Sequence, residues 1–245
     1  MYDAFADLYD SLMDDVPYDE WADRLDLLLK ERGTESVVDC ACGTGNLTLR
    51  LHEKGYNVLG TDISEDMLRV HMEKQIENGV SYPLVQMDMR ELSLPYLVDA
   101  ITCCCDGVNY LLEEEELLSF LRGAKASLAP KGMLLFDISS EYKLRNTLGR
   151  NTYGEDRPEC TYLWQNIMDE KDPFLEMDLT FFLPNSDGTY DRMDETQVQR
   201  IWKREEIETA LLKTGFTDIR VTEAVTGAEP VDTTERLQFT AVKGD

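Results

Sequence analysis

The chain has 245 residues, 42% of them hydrophobic, enough for the core of one large domain or of one domain carrying an insertion. Its formal net charge is −25 and no dense basic cluster offsets it, so a nucleic-acid partner is disfavoured. No run of roughly 18 apolar residues could span a membrane, and the acidic, aromatic start MYDAFADLYDSLMDD fits neither a secretory nor a transit peptide, so the expectation is a cytoplasmic protein.

In chain order, the opening segment places Tyr2, Phe5, Tyr9 and Leu12 at helical spacing on one face. Residues 36–41 form a short apolar run closed by glycines, which reads as a buried strand. Helical spacing follows over 45–54, a second strand over 56–62, and a helix from Ser64, an N-cap with acids behind it. Strands are expected at 81–88 and 99–106. A helix through Leu117, Leu118, Leu121 and Leu128 leads to a strand at 133–139. Strands alternating with helices predict a parallel, doubly wound α/β sheet. After about residue 140 the pattern changes. Segments 161–170, 174–184 and 195–202 are strand-like with a turn signal at 184–190, which predicts an inserted antiparallel sheet. A helix ended by Gly215 and two further strands close the chain.

Four features carry chemistry. The first is VVDCACGTGN, a strand, a glycine turn and a helix start, which lets a ligand approach the backbone near a helix N-terminus. A dinucleotide fingerprint would need a glycine where Thr48 stands. The second is Asp62, which ends the next strand 19 residues after Gly43, where an acid accepts hydrogen bonds from ribose hydroxyls. The third is Asp88, beside the same crevice and flanked by Met87 and Met89, suited to an adenine amino group. The fourth is the cysteine set. Cys103, Cys104 and Cys105 are consecutive and Cys40 and Cys42 alternate, a poor disulfide framework without the separated ligand pairs of zinc sites, so no metal is expected. The two histidines, His52 and His71, fall within predicted helices, and the acids at 113–116 fit a helix start.

Together VVDCACGTGN, GTDISEDML, MDMREL, DAITCCCDGVNYL and LAPKGMLLFDI resemble the ordered motifs of the class I S-adenosylmethionine-dependent methyltransferases over residues 36–139. The loop resembles D-x-G-x-G-x-G, with Ala41 in place of the first glycine. The resemblance implies a seven-stranded Rossmann-like sheet ending in an antiparallel hairpin. It implies that Asp39 and the backbone of Ala41, Cys42, Gly43 and Gly45 face the methionine moiety. Asp62, with Ile63 and Met67, would face the ribose, and Asp88, with Met87 and Met89, the adenine. Cys104, Cys105 and Asp106 would face the sulfonium and the acceptor. The start of the chain is similar to a bacterial subgroup with a mobile N-terminal helix over the cofactor, which implies a cover containing Tyr9, Tyr18 and Trp21. In that subgroup the inserted sheet ends in an E-x-H-x-Q-R-x-Y-like strand. Here Gln197 replaces the histidine and Trp202 the tyrosine, and Arg200 is left to pair with an acidic acceptor or across the sheet.

The division implied is lid helices over 1–30, a cofactor-binding core over 31–140, a substrate cap over 141–203, and a closing helix and hairpin over 204–245. The expected activity is methyl transfer from S-adenosylmethionine to a small-molecule O or N acceptor, with Asp106, Tyr110 and Tyr142 as candidate bases. Two other classes stay open: a non-catalytic S-adenosylmethionine-binding or regulatory protein, and a nicotinamide-dependent oxidoreductase.

Overall fold

The computed structural model describes residues 3–149, 151–169 and 171–244. Helices α1 (Asp3–Leu12) and α2 (Tyr18–Lys30) lead into β1 (Ser36–Cys40), α3 (Asn46–Glu53), β2 (Asn57–Asp62), α4 (Glu65–Glu77) and β3 (Leu84–Gln86). Next come β4 (Val98–Cys103), α5 (Glu114–Ser127) and β5 (Leu128–Ser139). A π-helical segment (Lys143–Leu148) precedes β6 (Thr152–Asp156), β7 (Thr161–Ile167), β8 (Phe174–Pro184) and β9 (Tyr190–Arg200). The chain closes with α6 (Arg204–Lys213), β10 (Phe216–Glu223) and β11 (Arg236–Lys243). Tyr2, expected on the first helix, lies outside the described residues.

One sheet has seven strands in the order β10-β11-β5-β4-β1-β2-β3, with β11 antiparallel to both its neighbours and the five strands from β5 to the β3 edge parallel. Strand alternation separates its two faces: Val38 packs toward α5 and α6, Val37 toward α2 and α3. The inner strands β1, β4 and β5 are mostly buried because both faces are covered. Chain order reverses between β1 and β4, the place where open α/β sheets leave a crevice beyond the strands' carboxyl ends.

The second sheet, β6-β7-β8-β9, is wholly antiparallel. It is fastened by Phe181 and Cys160 packing on Phe5 and Leu8 of α1, and by Leu175, Met177 and Ile201 packing on Leu144 of the π-helical segment.

Several boundaries differ from the sequence expectation. The strand expected at 81–88 shrinks to three residues, because Pro83 has no N–H to give the ladder and Asp88 turns the chain into a short 3-10 segment. The strand expected at 99–106 ends at Cys103, since Cys105 and Asp106 take left-handed backbone angles (φ 60° and 55°). Strand β6 has no apolar alternation to announce it, and β9 begins at Tyr190, five residues before the expected start.

Candidate active site

The loop after β1 turns sharply. Ala41, Gly43 and Gly45 all have positive φ (55°, 53° and 83°). Ala41 thus adopts the conformation glycine would supply, at a cost of roughly 1–2 kcal/mol. The turn is held by Cys42 N–H donating to Thr61 O (2.9 Å) and Gly45 N–H donating to Cys42 O (3.0 Å). At Gly45 only glycine fits, because a Cβ would lie 2.1 Å from His71 Nε2. At Gly43 a Cβ would meet open space.

Asp39, 2% exposed, accepts from the Thr48 hydroxyl (2.5 Å) and the Thr102 hydroxyl (2.8 Å). Burial pushes its carboxyl up to about 6 even though both hydroxyls favour the charged form. Asp62 ends β2 and accepts from Gly43 N–H (2.8 Å) and Ser64 N–H (2.9 Å), so it joins the glycine loop to the start of α4. Its carboxyl is raised by burial. The Ser64 hydroxyl caps α4 by accepting from Met67 N–H (3.2 Å), as the sequence predicted.

These groups open into a cavity of about 390 Å³, within the range of small-ligand sites. Its floor comprises Asp39, Ala41, Cys42, Gly43 and Asp62, with Ile63 and Met67 beside them. Met89, Cys104, Cys105 and Tyr110 close one side. Tyr9 and Tyr18 come from α1 and α2, and residues 195–198 of β9 form the opposite wall. Helix α1 is tied across this space: Asp10 accepts from the Thr44 hydroxyl (2.6 Å) and the Asn46 amide (2.8 Å) and pairs with Lys74 (2.6 Å). Arg69 pairs with Asp7 (2.7 Å), and Arg157 holds Asp14 from the second sheet (3.2 Å).

Six of the expected residues do not line the cavity. Gly45 lies behind the loop as the N-cap of α3. Asp88 is clamped by Arg90, whose Nε lies 2.9 Å from its carboxylate and whose N–H also donates to it, so the acid expected to face adenine is already engaged; Met87 packs on the core beside it. Trp21 lies beneath, with Arg236 5.0 Å over its ring. Tyr142 is half-buried at the start of the π-helical segment. Asp106 is no free base: it accepts from Gln199 (2.6 Å) and Arg236 (2.7 Å), and Arg236 also bonds the buried Asp137. Arg200 does not reach the cavity either; it donates to Leu112 O (2.8 Å) and stacks over Trp202 at 3.8 Å.

The structure also brings in groups the sequence reading did not single out for the site. Phe5, Thr44, Asn46, Leu47 and Glu195 line the cavity, and Gln197 enters it while accepting from the Tyr110 hydroxyl (2.6 Å). His71 Nδ1 lies 3.5 Å from Cys42 Sγ. Burial pushes the Cys42 thiol up and His71 down to about 4, so both stay neutral and form no thiolate–imidazolium pair. Among the described residues, no group of three or more His, Cys, Asp or Glu could hold a metal ion, and no helix is long and apolar enough to cross a membrane.

This fold, with a glycine loop and an acid at the next strand end, is that of the S-adenosylmethionine-dependent methyltransferases. A family model described as a methyltransferase domain matches residues 37–132. YqeM of Bacillus subtilis (strain 168), provisionally named a methyltransferase, is 36% identical over 99% of this chain and 97% of its own. A solved S-adenosylmethionine-dependent methyltransferase from Clostridium acetobutylicum ATCC 824 superposes with a TM-score of 0.90 at 31% identity, covering 100% of this chain and 99% of its own. The dTDP-3-amino-3,4,6-trideoxy-alpha-D-glucopyranose N,N-dimethyltransferase of Streptomyces venezuelae is 30% identical over 54% of this chain and 56% of its own. The chain belongs to the S-adenosylmethionine-dependent methyltransferase family, and it is an enzyme of that class.

Proposed function

We propose that the cavity holds S-adenosylmethionine and a small-molecule acceptor together, and that the chain methylates an oxygen or nitrogen of that acceptor. The observation that carries this is the joining of the Ala41–Gly45 turn, Asp62 and the α1 and β9 walls around one cavity of about 390 Å³. The residues fit the cofactor: Gly43 leaves open space at its Cβ position, and Asp62 stands at the strand end with lone pairs left after its two backbone bonds. In this reading Asp62 takes the ribose, the Ala41–Gly45 backbone takes the methionine part, and Met89 walls the adenine. Helices α1 and α2 act as the lid, and residues 141–203 act as the acceptor cap. Asp39 serves by fixing Thr48 and Thr102 beneath the loop. Bound S-adenosylmethionine supplies an electrophilic methyl on a sulfonium whose leaving group is a neutral thioether, so no acid is required.

The protein's task is then positioning and exclusion of water, with an acceptor lone pair held in line at about 3–3.5 Å from the methyl carbon. The burial-raised phenols of Tyr9 and Tyr18 stay protonated and offer hydroxyl dipoles rather than bases. A roof built from α1 and β9 leaves room for a metabolite and not a polymer. The S. venezuelae relative, named for an amino sugar, belongs to the same size class. The test is release of S-adenosylhomocysteine from pooled metabolites. Turnover with small molecules is expected; turnover with protein or nucleic acid alone would overturn the acceptor class.

A further inference from the structure

Along strand β9, Glu195, Gln197 and Gln199 share one face. Gln199 donates to Asp106 (2.6 Å), and Gln197 accepts from Tyr110 (2.6 Å). Glu195 is the next position in that row, about 7 Å beyond Gln197 along the strand. It is half-buried, lines the cavity, and has no hydrogen-bond or ion-pair partner among the described residues. The cavity's charged lining is Asp39, Asp62 and Glu195, with no lysine, arginine or histidine among the described lining residues. Asp39 is engaged by two threonines and Asp62 by two backbone N–H groups, whereas Glu195 accepts no hydrogen bond among the described residues. Its carboxyl is raised, burial outweighing the attraction of the chain's amino terminus.

The end of the cavity before Glu195 disfavours a carboxylate or phosphate on the acceptor and rewards a cation that fills the space there. The chain's net charge of −25 adds a long-range field of the same sense. A methyl acceptor must also own a lone pair. The group that is cationic in water and yet has a lone pair after losing one proton is an amine. Resting on the reading of this cavity as the methyl-transfer site, we propose that the acceptor is a small amine whose ammonium form is recognised by Glu195; it releases one proton to solvent, and its freed lone pair forms the N–C bond as the methyl's C–S bond breaks and S-adenosylhomocysteine leaves. Gln197 and Tyr110, already bonded to each other, flank that subsite and orient the rest of the molecule.

The experiment uses the 245-residue chain, S-adenosylmethionine labelled in its methyl group, and a small-molecule cell extract split by ion exchange into cationic, neutral and anionic fractions. Label is expected in the cationic fraction. Glu195→Gln should reduce that labelling at limiting acceptor by about tenfold or more, through KM rather than kcat, with Glu195→Asp recovering part of it. S-adenosylmethionine affinity of both variants, read by calorimetry, should stay within about twofold of wild type, because the two subsites are separate. Label in the neutral or anionic fraction, or unchanged kinetics for Glu195→Gln, overturns the proposal. So does a roughly tenfold loss of S-adenosylmethionine affinity in Glu195→Gln, which would assign the carboxylate to the cofactor. Failure of the wild-type chain to bind S-adenosylmethionine would instead fault the reading of the cavity itself.

Discussion

Replacing Asp39 by asparagine removes a charge that the fold buries, and the gain depends on pH in a calculable way. Burial holds the folded carboxyl at about 6 against an ordinary value of 3.8. Because the folded value is the higher one, the residue's contribution is most favourable below pH 3.8, where it is protonated in both states, and is lost as pH rises through 6. The full loss is about 3 kcal/mol, of which about 1.4 kcal/mol falls between pH 5 and 7.5. Asparagine does not titrate, so it escapes this loss. It also mismatches the Thr48 and Thr102 hydroxyls, which donate to both carboxylate oxygens, but that penalty is the same at every pH. Urea unfolding of both proteins from pH 5 to 7.5 separates the two effects: the offset reads the hydrogen bonds, the change in offset reads the charge. The variant should gain on wild type by about 1.4 kcal/mol over that interval. Parallel curves would refute the claim that Asp39 is a strained, buried carboxylate.

Two further outcomes follow from the loop and from helix α1. Gly45→Ala places a Cβ 2.1 Å from His71, whose ring is held by the Tyr82 hydroxyl (2.9 Å), and adds left-handed strain. Its cost of about 3 kcal/mol should lower the melting temperature by roughly 6–12 °C. Gly43→Ala, open at its Cβ, should lose only the strain component, and equal losses in the two variants would contradict the packing account. Asp10→Ala cuts the ties of α1 to Thr44, Asn46 and Lys74, and amide hydrogen exchange over residues 5–12 should quicken about tenfold; unchanged protection would mean that other contacts hold the helix.

What was legible in the sequence was what local pattern encodes. The central strands are apolar runs bounded by glycine, and the helices carry their spacing and caps, so the α/β alternation and the inserted sheet both emerged. Whether Ala41 takes the backbone angle of the glycine it replaces was not legible, because alanine disfavours a positive φ, and the structure gives it one (55°). Polar edge strand β6 carries no such pattern. The cavity's lining was legible where one strand end supplies the group, as with Asp62, Ala41 and Gly43. It was obscured where a distant partner captures the side chain. Asp106 is bound by Arg236, 130 residues on, and by Gln199 from the second sheet. Asp88 is captured by a neighbour two residues away, yet nothing in the spacing says that Arg90 folds back on it rather than outward. The entry of Glu195 into the cavity follows from the second sheet's register over the first, which no single segment contains.

The most direct test of the cofactor site is calorimetric titration of S-adenosylmethionine into the wild-type chain and into Asp62→Ala. One site per chain is expected, with an affinity at least about tenfold weaker in the variant, the loss expected when a charged hydrogen-bond acceptor for hydroxyls is removed. Wild-type affinity in Asp62→Ala would contradict the placement of the cofactor at the end of β2.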